Sequence, residues 1–388
     1  MAHQPHRRNS LGGFSESFNV SCSQPTSPEK FRSLLNIIKN SVINAGFPNW
    51  RTLRGLSKDD VEECFFELNA SENYRSYAAE QEDVNILFRR SSSIIQEIRE
   101  VLGTEDRETL VDFYIDFMAD KMVHMIFGSN MQEKAGMGLE ETIKLCRQIF
   151  EGKEIDAGDV DPKSPEYEAQ LKLLVQHGVE NPDLKHVVQS RREVIQHAQA
   201  LMHITDAALN SDEPLTEKLI CDTHRILCQG IPLGGGSDND GNYAGVYRNT
   251  MAMAGSTLFT APENVPAAMQ RLIADFNGDI RDREINKNLD PFYLAADICQ
   301  DFVTIHPFKD GNGRMCRLIA NAFLIKYAGI VISIGEHDEE RKQYLAIAEM
   351  AGDGETEEEA RETLAGFFLE RAEGTLRKLK EILTSSRH

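Results

Sequence analysis

The chain has 388 residues, 41% of them hydrophobic and 27% charged, which suits a soluble globular protein with room for two or three domain-sized units. Its formal charge, 42 basic minus 62 acidic residues, is −20. A surface this acidic repels nucleic acid and anionic membranes, which excludes both as general partners, and any phosphate site must be basic locally. Seven scattered cysteines, none spaced Cys-x-x-Cys, read as reduced thiols of a cytoplasmic protein. No run is long and apolar enough to cross a bilayer, and residues 1–26 lack the apolar centre of a secretory signal.

Residues 1–26, rich in Ser, Asn, Gln and Pro, read as a disordered tail. Ser27-Pro28 starts a helical region over 27–115. Helical spacing runs through Phe31, Leu34, Leu35, Ile38 and Val42, then from Ser57, then over Glu80 to Leu102 with a stop at Gly103. A long helix capped by Thr104 runs through Phe113, Phe117, Met122 and Ile126 to Gly128. An acidic loop or insertion fills about 152–182. Helices follow over Val187 to Leu209 and from Pro214-Leu215-Thr216 to Gly230. The glycine-rich stretch 231–242 lacks a Gly-Lys-Ser/Thr ending and reads as a connector. Weak alternation over Tyr243 to Thr260 predicts a short hairpin. Helices over Val265 to Phe276, Pro291 to Ile305, Leu318 to Ala328, Glu339 to Met350 and Glu355 to Ile382 complete an all-α chain.

Between two of those helices stands His306-Pro307-Phe308-Lys309-Asp310-Gly311-Asn312-Gly313-Arg314-Met315-Cys316-Arg317. A glycine-rich loop entering a helix N-terminus turns backbone N–H groups toward an anion. His306 is suited to accept a proton near neutral pH. Phe308 reads most simply as an apolar anchor. Asp310 is a hard oxygen ligand for one Mg²⁺. Arg314 and Arg317, three apart on the first turn, can hold a polyphosphate. No Ser, Cys or Lys nucleophile stands within the motif, which points to a hydroxyl belonging to the substrate.

The passage resembles the signature of the Fic (Fido) family, His-Pro-Phe-x-Asp/Glu-Gly-Asn-Gly-Arg-x-x-Arg, with each specified position filled. Similar stretches continue upstream: Glu193 to Leu201, His224-Arg225-Ile226-Leu227, Gly245-Val246-Tyr247-Arg248 and Pro262-Glu263-Asn264-Val265-Pro266. The resemblance implies a helical bundle with a β-hairpin flap at about 243–260, within a domain over 116–350 flanked by C-terminal helices over 351–388. It implies AMP transfer from ATP to a Ser, Thr or Tyr hydroxyl of a target protein docked on the flap. His306 would be the base and Asp310 the metal ligand. Asn312 and Arg314 would act in catalysis. Phe308, Gly311, Asn312, Gly313, Arg314 and Arg317 would bind the nucleotide. Self-modification and a homodimer are compatible with it.

Ser129-Asn130-Met131-Gln132-Glu133-Lys134 resembles the family's inhibitory helix, Ser/Thr-x-x-x-Glu-Gly/Asn, here at about 120–135. Lys134 departs from the pattern. The runner-up is Glu180, in Gln176-His177-Gly178-Val179-Glu180-Asn181. By the resemblance, Glu133 would pair with Arg317, beside Ser129, and exclude the γ-phosphate. Alternatives are the reverse reaction, transfer of another nucleotide, or a non-catalytic nucleotide-binding interaction module.

Overall fold

Apolar residues spaced for one helical face produce helices throughout the described residues of the computed structural model, which are 33–45, 74–76, 82–103, 107–210, 214–233, 243–254, 257–286, 288–350 and 357–385. The expectations for residues 1–26, Ser27-Pro28, the helix from Ser57 and most of the 231–242 connector lie outside them. The fold is all-α apart from one small hairpin. Helix α1 (Leu34–Ala45) is followed by α2 (Val84–Leu102), whose Asp83 cap accepts from the Asn85 amide. Then come α3 (Arg107–Gln132), α4 (Leu139–Phe150), α5 (Pro165–Gln176), α6 (Leu184–Asn210) and α7 (Glu217–Cys228). Strands β1 (Met253–Ala254) and β2 (Thr257–Leu258) precede α8 (Val265–Ile285), α9 (Pro291–Ile305), α10 (Asn312–Tyr327), α11 (Asp338–Glu349) and α12 (Glu357–Ser385).

Helix α10 is the axis of the bundle. It packs along α9 on one side and α6 on another, and nearly every one of its side chains is buried. Helix α9 carries α12 on its far side, α12 carries α2, and α3 lies against α1, α4 and α6. The proposed break between residues 115 and 116 falls inside α3, and the C-terminal stretch contributes one helix, packed on α2 and α9. The described residues belong to one compact unit.

Five expected elements differ: α8 runs on to Ile285 and α10 opens at Asn312, six residues before Leu318, and three others change more. Helix α3 passes Gly128 and ends at Gln132. Gly128 is a close-approach glycine: a Cβ there would stand 2.7 Å from the Ile334 carbonyl oxygen and 3.0 Å from the Glu336 nitrogen. The chain turns instead at Lys134 and Gly136, with φ of 53° and 75°. The acidic insertion contains helix α5, because Ser164 accepts from the Tyr167 amide ahead of Pro165 in the first turn. The hairpin has two residues per strand, pairing Met253 with Leu258 and Ala254 with Thr257. Beyond it, the Thr250 and Thr260 carbonyls are taken by the Arg248 side chain instead of a ladder.

Replacing Gly128 by Ala pushes α3 off the 334–336 backbone. The expected loss is about 1–3 kcal/mol in urea unfolding. Gly278→Ala in α8, where a Cβ meets nothing within 4 Å, serves as control and is neutral or stabilising by up to about 1 kcal/mol.

Candidate active site

Helix α9 ends in a left-handed residue, His306, with φ 51° and ψ 60° and its amide donating to the Phe302 carbonyl. A non-glycine residue adopts this conformation at a cost of about 1 kcal/mol or more, and such strain concentrates where a side chain must be aimed. The His306 ring stacks on Phe259, at the end of the hairpin, with centroids 4.0 Å apart and planes 8° apart. Burial lowers its pKa below the ordinary 6.5, with the Val303 carbonyl pulling the other way, so the ring is a free base at neutral pH.

The loop then folds on its own side chains. Asn312 accepts from the Phe308 amide and donates to the Phe308 carbonyl, both at 2.9 Å. The side chain expected to bind the nucleotide thus also fixes the shape of the loop. Phe308 is fully buried and stacks on His224 at 3.6 Å, so its ring anchors the loop. His224 has a determined tautomer. The Gly245 N–H can only donate, so Nδ1 accepts it at 2.8 Å. The Asp310 carbonyl can only accept, so Nε2–H donates to it at 2.9 Å. A Cβ on left-handed Gly311 would stand 2.8 Å from Cys228 Sγ and 3.3 Å from His224 Nε2, so only glycine fits at this bend.

Helix α10 opens at Asn312 with no side-chain cap, leaving its first N–H groups unpaired within the helix. Beside them Arg314 is 2% exposed. One Nη2–H meets Asp310 Oδ2 at 3.0 Å, while Nε and Nη1 are buried with no partner. Buried guanidinium donors without acceptors are costly. Together with the bare helix end they form a receptor for an anion. The Asp310 carboxylate is 42% exposed. The donor set fits an ion held by one carboxylate and completed by phosphates and water. Among the described residues no cluster of three or more His, Cys, Asp or Glu suits a closed metal site.

Arg317, one turn along, is fully engaged by the end of α3. Its Nε donates to Ser129 Oγ at 2.8 Å and Nη1 to Gln132 Oε1 at 3.2 Å. Nη2 donates to the Ser129 carbonyl at 3.0 Å and to Glu133 Oε1 at 2.7 Å. Glu133 also lies where a Cβ on Gly313 would stand, so Gly313 leaves room for the carboxylate. Glu180 is exposed and is not among the Arg317 partners, so the runner-up is not brought to the site. The departure at Lys134 is accommodated because the turn is held from outside. The Gly136 amide donates to Glu193 at 2.7 Å, and its carbonyl accepts from Gln170 of α5 at 3.0 Å. Asn130 meets His197 at 2.8 Å.

Residue spacing gave His224, Arg248, Phe259, Gln132 and His197 no roles, although all but Phe259 stand in stretches similar to the family. Of the cysteines described, Cys146, Cys228, Cys299 and Cys316 are buried and Cys221 is half-buried, all as free thiols.

Burial holds His224 well below 6.5, at about 4. A folded pKa below the unfolded one means that stability present near neutral pH is lost as pH falls from about 6.5 toward 4, by on the order of 3 kcal/mol for this group. His224→Gln removes that titration. The unfolding free energy of the native chain, relative to the variant, therefore declines between pH 7 and pH 4.5. A difference independent of pH would show that the ring is not held neutral.

Residues 214–324, from the approach to α7 through most of α10, match the Fic/DOC family model. A Fido domain-containing protein of Dictyostelium discoideum is 41% identical over 83 residues, which are 21% of this chain and 55% of that protein. A protein adenylyltransferase Fic of Nematostella vectensis is 33% identical over 137 residues, 34% of this chain and 28% of that one. The chain thus spans about half the length of the first relative and little more than a quarter of the second. In fold it is similar to a Fic domain containing signaling protein of Bacteroides thetaiotaomicron, with a TM-score of 0.53 and 20% identity over 76% of this chain and 98% of that one. The signature loop lies inside the 214–324 match to the Fic/DOC family, and the helical fold around it is similar to that of a Fic domain containing protein.

Proposed function

We propose that the chain is a protein adenylyltransferase, transferring AMP from ATP to a Ser, Thr or Tyr hydroxyl of a target protein. The observation that carries this reading is the buried Arg314, with two unpaired guanidinium nitrogens beside an uncapped helix N-terminus and a neutral histidine at the start of the same loop. Relatives named protein adenylyltransferase support the choice of adenylyl as the group transferred.

In this reading the target hydroxyl loses its proton to the free ring nitrogen of His306. The hydroxyl oxygen forms a bond to the α-phosphorus as the bond to the β-phosphate breaks, and pyrophosphate leaves. The amides at the start of α10 and the free Arg314 donors meet charge that develops on the phosphate, without having to reorient. Asp310 would hold Mg²⁺, which when bound supplies countercharge to the phosphates. Arg317 is the natural contact for the distal phosphates, but Glu133 occupies its fork. A carboxylate and a γ-phosphate compete for the same donors, so the resting chain is restrained.

Glu133→Gly frees Arg317 and raises incorporation of labelled AMP, into the protein itself or a target, by about tenfold or more. Glu180→Gly leaves it unchanged; activation by Glu180→Gly alone would reassign the restraint. In the Glu133→Gly background, His306→Ala lowers transfer by roughly 10²–10⁴-fold while ATP binding by calorimetry persists. Because the base must be neutral and its pKa is depressed, kcat/KM falls only on the acid side of an inflection below pH 6.5. An inflection above 7 would remove His306 from that role.

Glu133 standing over Gly313 also favours a second reading, removal of AMP from a modified protein, with this carboxylate orienting a water. Release of AMP from an AMPylated target by the native chain, and not by Glu133→Gly, distinguishes it.

A further inference from the structure

Arg248 lies outside the signature loop and is 3% exposed. Every acceptor that its side chain meets among the described residues is a main-chain carbonyl. Nε donates to His306 O at 2.6 Å, and Nη2 to Ile305 O at 3.2 Å. Nη1 donates to Thr250 O at 2.8 Å, and Nη2 also to Thr260 O. Its own amide donates to Pro307 O at 2.8 Å. One planar cation therefore joins two things that are distant in sequence. Ile305 and His306 are the C-terminal end of α9, where carbonyls lack helix partners and the dipole is negative. Thr250 and Thr260 are the two bases of the hairpin, just before β1 and just after β2. Phe259, the residue before Thr260, is the one stacked on the His306 ring.

We infer that Arg248 is a positioning residue that pins both bases of the hairpin to the backbone of the catalytic histidine, so that a segment docked on the hairpin is registered against the His306 ring. The inference rests on the adenylyltransferase reading for its use in transfer, though not for the pinning itself. A guanidinium is needed because its fork serves four carbonyls at fixed angles. An ammonium would keep the charge at the end of α9 but could not span both hairpin bases.

The test is Arg248→Lys in the full chain carrying Glu133→Gly. Amide hydrogen exchange over residues 249–260 is expected to quicken at least about tenfold while exchange in α6, α9 and α10 stays unchanged. The kcat for AMP transfer is expected to drop at least about tenfold with KM for ATP within about twofold of the parent. Unchanged hairpin exchange, or an unchanged kcat, overturns the inference. Faster exchange everywhere with loss of ATP binding overturns it too, because Arg248 would then only hold the fold. If the Glu133→Gly parent transfers no nucleotide, the adenylyltransferase reading fails and hairpin exchange alone decides the pin. If the lysine variant does not fold, exchange in the unaltered chain decides: the Arg248 and His306 amides open at one common rate if pinned, and at separate rates if not.

Discussion

Two guanidinium groups lie on a helix that is buried on all sides, and the structure is arranged around that fact. A helix at the centre of a bundle ordinarily carries apolar residues all round. Helix α10 does so over most of Leu318 to Ile325, with Asn321 as the exception, yet its first turns bury Arg314 and Arg317 at 2% and 3% exposure. A buried cation must find acceptors or cost several kcal/mol. Arg317 finds four, all from the last turn of α3 and the residue after it. That demand explains why α3 runs past Gly128, why Gly128 must lie flush on the 334–336 backbone, and why Gln132 also bonds to the Ile334 carbonyl. Arg314 finds one acceptor and keeps free donors. The difference between the two arginines is the difference between a satisfied contact and a waiting one.

The loop before α10 is held by groups that never face the anion receptor. His224 grips the Asp310 carbonyl from one side and the Gly245 amide from the other. Asn312 closes the loop on Phe308, and Phe308 fills the core against His224. Arg248 and Phe259 bring the hairpin onto His306. The left-handed backbone at His306 persists because these neighbours over-determine it. The arrangement supplies orientation before any ligand arrives, the property that makes fixed donors effective in charge stabilisation.

Much of this was legible in the residues. Helix periods located α2, α7 and α9 closely, because one-sided burial writes its spacing into the chain. The signature loop named His306, Asp310, Gly311, Gly313, Arg314 and Arg317, and the Ser129–Glu133 spacing pointed to the partner of Arg317. Helix α5 was hidden in an acidic run, although Ser164-Pro165 repeats the same start signal read at Ser27-Pro28. Phe308 is the apolar anchor that its type suggested, whereas the loop-closing bonds of Asn312 were not legible, because an amide and a ring suit ligand contact and loop packing alike. Only their neighbours distinguish the two.

What the sequence determined by itself is the inventory: helices with one apolar face, a glycine-rich bend before a basic turn, and a histidine beside a proline. Those are local properties, set by side-chain periodicity and backbone freedom within a few residues. What only the tertiary structure decided is which charges meet. Ser129, Gln132 and Glu133 lie some 185 residues from Arg317 in sequence, and Arg248 lies 58 from His306. A guanidinium binds whatever acceptors packing delivers within about 3 Å, and no spacing rule along the chain encodes that distance.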